Sequence, residues 1–133
     1  MNICFFSEYF NQGGIGRVTS IIMNSLSLNC NYSVFSLTYA KTSDDSIYSI
    51  SDGIDCSYLL EERVSMKNAI IKKGIIRRLK VYVEEKNIDV LIACGDLLFP
   101  ISIFVKSKKC KVICWDHTSP FVNTDQQLSL IHI

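Results

Sequence analysis

The chain carries only two prolines in 133 residues, so little of its backbone is barred from regular structure by a missing donor. It has six cysteines, but Cys4, Cys30, Cys56, Cys94, Cys110 and Cys114 form no C-x-x-C pair. The two histidines are not spaced to complete a zinc site with them. There is no D-x-D pattern. Asp44 and Asp45 are adjacent, and Asp52 and Asp55 stand three apart, which argues against a bound catalytic divalent cation. No apolar run approaches the ~20 residues a membrane span requires. The start, Met1 to Glu8, has no basic segment and meets a carboxylate too early for a secretory signal. Neither charge dominates. Fourteen Lys and Arg against thirteen Asp and Glu give net +1, which excludes a global field drawing the chain to nucleic acid. These absences point to reduced, structural thiols and a cytoplasmic location.

What is present is apolar. Hydrophobic residues make up 48% and charged residues 20%, the balance of a sheet buried on both faces. Ile3 to Phe6 predicts a short buried strand, leading into the turn-rich Phe10 to Gly16. From Arg17 the period becomes helical, with Val18, Ile21, Ile22, Ser25 and Leu26 on one face. Tyr32 to Tyr39 predicts a second strand, Thr42 to Asp55 a loop, and Ile54 to Leu60 a third strand. Val64 to Lys86 is the longest helical stretch. It stacks Ile71, Ile75, Leu79, Tyr82 and Val83 opposite Lys73, Arg77 and Lys80. Asp89 to Asp96 predicts a buried strand and Lys111 to Trp115 another strand, separated by a short helix over Leu97 to Lys109. Strands alternating with helices imply parallel pairing and right-handed crossovers, hence an α/β, Rossmann-like doubly wound sheet.

In such a sheet ligands gather at the carboxyl ends of the strands. Two predicted strand ends carry unusual residues. Gly13, Gly14 and Gly16, followed by Arg17, open a helix, where bare backbone and free N–H groups suit an anion. The same residues also suit a plain tight turn. Thr19 stands where the dinucleotide fingerprint needs its third glycine, and no Lys-Ser/Thr follows to make a phosphate-binding P-loop. His117, between Asp116 and Thr118, suits either proton transfer and hydroxyl recognition or simple capping of a strand end. The basic stripe Lys73, Arg77 and Lys80 is either a solvated face or a transient contact with an anionic membrane.

Taken together, Asn2 to Phe6, Gly13 to Val18, Asp89 to Ala93 and Val112 to Thr118 resemble the amino-terminal domain of a family 4 glycosyltransferase, of the two-Rossmann-domain GT-B architecture. The resemblance implies retaining, metal-independent sugar transfer from a nucleotide-sugar donor to a glycan or lipid-linked acceptor, with no separate cofactor. It implies that Gly13, Gly14 and possible neighbour Gly16 approach the donor diphosphate and that His117 contacts the transferred sugar as the catalytic residue. Arg17, Asp116 and Thr118 would border the cleft. The family's carboxy-terminal domain, with its paired glutamates, has no counterpart here. The expectation is therefore a truncated domain over residues 1–127, inactive alone. A tail over 128–133 resembles translated adapter sequence. A stand-alone, non-catalytic nucleotide-binding module is the alternative. A dinucleotide oxidoreductase is disfavoured, because Thr38 to Lys41 offers no acidic residue for a ribose.

Overall fold

In the computed structural model, residues 1–8, 13–40, 49–60, 73–95 and 98–115 are described. The centre of the fold is strand β1 (Asn2–Ser7), whose residues from Ile3 onward are all buried. Alternation sends its side chains to two cores. Cys4 and Phe6 join one apolar cluster, and Ile3 and Phe5 join the other. A strand with no polar face must be covered on both sides, and this one is.

Strands β2 (Ser33–Ala40), β3 (Asp55–Leu60), β4 (Val90–Cys94) and β5 (Lys111–Trp115) complete a five-stranded sheet of order β3-β2-β1-β4-β5. Every pairing is parallel, with Phe5 opposite Ser36 on one side and Ile92 on the other. This is the doubly wound, Rossmann-like α/β arrangement that the alternation of elements predicts. Helix α1 (Gly13–Ser27) covers the face of Ile3 and Phe5 through Met23, Ile22 and Leu26. Helix α2 (Lys73–Glu85) covers the other face through Ile75, Leu79, Tyr82 and Val83. Helix α3 (Phe99–Ser102), continued by a 3₁₀ turn over Ile103–Val105, packs beside α2. Among the described residues no helix is long and apolar enough to cross a membrane.

Three expectations need correction. Helix α1 begins at Gly13, so the glycines lie within it and not in a loop before it. Its inward stripe is Gly16, Thr19, Ser20 and Met23, whereas Val18 and Ile21 are 41% and 58% exposed. Small residues let the helix lie close on the sheet, and Ser20 Oγ meets the Arg17 carbonyl at 2.8 Å, so its hydroxyl can be buried. The sequence from Leu97 to Lys109 yields only one α-helical turn and one 3₁₀ turn, because Pro100 fits only a first turn and Ser107 starts a new bend. Part of the predicted loop is held in place: Asn24 Nδ2 donates to the Ser49 carbonyl at 2.7 Å, and Asn24 Oδ1 accepts the Ser51 N–H at 2.8 Å. The stretch 64–72, residues 96–97, and the tail 128–133 lie outside the described residues.

The end of α2 and the start of β1 are clasped together. Asn87 takes the left-handed conformation, φ 53°, and Ile88 N–H returns to the Val83 carbonyl at 3.0 Å, closing the helix. The Asn2 amide donates to the Lys86 and Asn87 carbonyls at 3.2 and 2.9 Å. Asn2 N–H also reaches Asp89 Oδ2 at 2.8 Å, and Asp89 N–H returns to the Asn2 carbonyl at 2.9 Å. Two consequences are measurable by urea unfolding. Asn2→Ala should lower stability by about 1 kcal/mol with an unchanged m value. Asn87→Val should lower it by about 1–2 kcal/mol, while Asn87→Gly should not. Equal midpoints for all three variants would contradict the clasp.

Candidate functional site

Strand order places the site before any side chain is considered. From β1 the chain winds outward through β2 to β3, then crosses back to β4 on the opposite side of β1. Helix α1, which follows β1, and helix α3, which follows β4, cover opposite faces of the sheet, so the ends of β1 and β4 form the switch point where doubly wound sheets bind ligands in a crevice. On the β1 side the edge is formed by Ser7, which is buried, and by half-buried Glu8. On the β4 side Gly95 turns the chain at φ 116°, a conformation that disfavours any side chain, and donates to the Trp115 carbonyl at 3.1 Å. Trp115, at the end of β5, packs obliquely on Phe5 with ring centroids 6.3 Å apart.

The first turn of α1 begins at Gly13 and so presents its free N–H groups at this end of the sheet. A Cβ built on Gly14 would meet nothing within 4 Å among the described residues. Open space and the start of the helix thus coincide at Gly14, whereas Gly16 is buried. Arg17 is exposed on the outer side. Of the expected site residues, the structure groups Gly13 and Gly14 and buries Gly16. Asp116, His117 and Thr118 lie outside the described residues, although β5 delivers the chain to this same edge at Trp115.

Below the crevice the polar groups are buried and protonated. Cys94 lies under α1, and burial pushes its thiol up to about 12, opposed by the Thr19 hydroxyl beside it. Among the described residues the buried Tyr39 hydroxyl has no hydrogen-bond partner. Burial, and then the charge of Glu8, raise the Tyr39 phenol above its ordinary value. Composition does not announce Ser7, Thr19 or Tyr39 as site neighbours. Gly95 had a signal, since a glycine directly after a buried apolar run often marks a positive-φ exit.

These shifts make Cys94 inert as a nucleophile. A thiol-labelling experiment at mildly alkaline pH should modify exposed Cys30 quickly and spare buried Cys4 and Cys94 until the chain unfolds. The folded-state pKa of Cys94 is raised, so its stabilising contribution is complete below the unfolded thiol value and is lost between about pH 9 and 12. Urea midpoints should fall over that window, and a Cys94→Ala variant should show a shallower fall. Equal slopes would contradict this placement. In comparisons with known proteins, no family model matches this chain and no curated protein matches it.

Proposed function

We propose that this domain is the acceptor-side half of a retaining sugar transferase that draws on a nucleotide-sugar donor. The observation that supports it most is the coincidence of the β1–β4 crevice with the open, glycine-started first turn of α1. Backbone N–H groups at a helix start can hold a diphosphate, and the positive end of the helix dipole favours its charge. The glycosyltransferase resemblance of the segments around Gly13 and His117 gives that anion its identity.

In this reading the bond between the anomeric carbon and the diphosphate oxygen breaks as a bond to the acceptor hydroxyl oxygen forms. The hydroxyl proton leaves with the diphosphate. The Gly13 and Gly14 amides stabilise the charge that grows on the departing group, which is where fixed donors contribute most to rate. His117 orients the sugar ring, and the crevice holds the acceptor hydroxyl on the face from which the diphosphate departs, as retention requires. A second Rossmann-like domain supplies the remaining contacts to the nucleotide. Location on the cytoplasmic side, where nucleotide-sugars are made, belongs to the same proposal.

Trp115, the sole tryptophan, sits at the crevice and reports binding by its fluorescence. Nucleotide-sugars should quench or shift it, and Gly14→Val should weaken that response about tenfold or more by filling the space an anion needs. His117→Ala should weaken binding of the nucleotide-sugar more than that of the bare nucleoside diphosphate. Sugar transfer by the isolated chain should be negligible. Tight nucleotide binding that ignores the sugar and His117 would favour a non-catalytic nucleotide-binding module. Ordinary transfer rates from this chain alone would overturn the half-site reading.

A further inference from the structure

The flank of the domain at the opposite, amino-terminal edge of the sheet has features that the sugar-transfer reading leaves unused. Two adjoining hollows run between α2 and the segment that follows α3. One, of about 470 Å³, is bordered by Glu84, Asp89 and Lys109 over an apolar floor of Val83, Ile88 and Cys110. The other, of about 280 Å³, is edged by Lys80, Phe104 and Lys106. On the 3₁₀ turn beside them, Ile103 and Phe104 are 45% and 58% exposed. Lys106, Lys108 and Lys109 follow within five residues and are all exposed.

We propose that this flank is a peripheral docking surface for an anionic lipid bilayer. Ile103 and Phe104 enter the interface, and Lys80, Lys106 and Lys109 face the headgroup phosphates. Arg77, one turn before Lys80, and Lys108 extend the basic rim. Glu84 and Asp89 oppose it, but Asp89 already accepts the Asn2 N–H and is part of the clasp. The balance of the rim is cationic, which matches the negative potential of such a membrane. A purely electrostatic partner such as a nucleic acid would leave adjacent Ile103 and Phe104 in water, whereas a bilayer takes both the charge and the apolar tip. The expected contact through Lys73, Arg77 and Lys80 is thereby moved: the tip of the 3₁₀ turn leads, and the helix stripe supports it.

Co-sedimentation of the full chain with vesicles decides the matter. Vesicles of phosphatidylcholine and phosphatidylglycerol in equal parts should retain the protein, pure phosphatidylcholine should not, and retention should fall as salt rises. Each of Lys80→Ala, Lys106→Ala and Lys109→Ala should lower partitioning about fivefold. Phe104→Ser should lower it about tenfold, with an unchanged urea midpoint showing that the variant folds. Gly14→Val should leave it unchanged, which separates this surface from the donor crevice. No retention on the anionic vesicles overturns the proposal. So does retention indifferent to Phe104, retention on a soluble polyanion such as heparin without vesicle binding, or a dimer abolished by Phe104→Ser in place of vesicle binding.

Discussion

The structure depends on the double ladder of β1. Hydrogen-bonded to β2 on one side and β4 on the other, this strand supplies buried residues to both cores. Because neither face is polar, the strand is stable only when helices cover both sides, so its composition commits the chain to a two-sided sheet. The Asn2–Asp89 clasp fixes where β1 begins relative to β4 and to the end of α2. A one-residue slip would send every side chain of β1 to the wrong core and break the clasp as well.

The same strand positions the candidate site at its other end. Parallel strands all finish on one edge, and the reversal of winding at β1 makes that edge the switch point where such sheets bind ligands. Helix α1 starts there, and Gly16, Thr19 and Ser20 are buried along it, with Thr19 beside Cys94 of β4. Gly13 and Gly14 extend the run of small residues to the helix start, where Gly14 faces open space. Gly16 is buried whereas Gly14 is exposed at the helix start, which is where the proposed anion would meet the backbone.

Much of the architecture was legible from periodicity. The apolar runs of β1, β4 and β5 and the Ile75, Leu79, Tyr82, Val83 stripe of α2 lie where the pattern puts them. The orientation of α1 was only partly legible: Ile22 and Leu26 pack on the core as the period puts them, but apolar periodicity assumes that the core wants the largest side chains throughout. Here the core side needs small ones, and Val18 and Ile21 are turned outward. Nor were tertiary hydrogen bonds legible: Asn24 reaches Ser49 and Ser51, and Arg78 Nη1 donates to the Leu59 carbonyl at 2.9 Å, yet both look like surface residues in the sequence. For the site, the glycines stood out by composition. Gly95 and Trp115 became neighbours only once β4 and β5 paired.

The central claim is that an anion is held by the backbone at the start of α1, within the β1–β4 crevice. Amide-resolved nuclear magnetic resonance during titration with inorganic pyrophosphate tests it most directly. The account predicts that the largest shifts occur at the Gly13 and Gly14 amides, with smaller ones at Gly95 and the Trp115 indole, while Asn87 and Ile88 at the opposite edge stay still. Absence of shifts at Gly13 and Gly14, or shifts centred on the Asn87 edge, would contradict it.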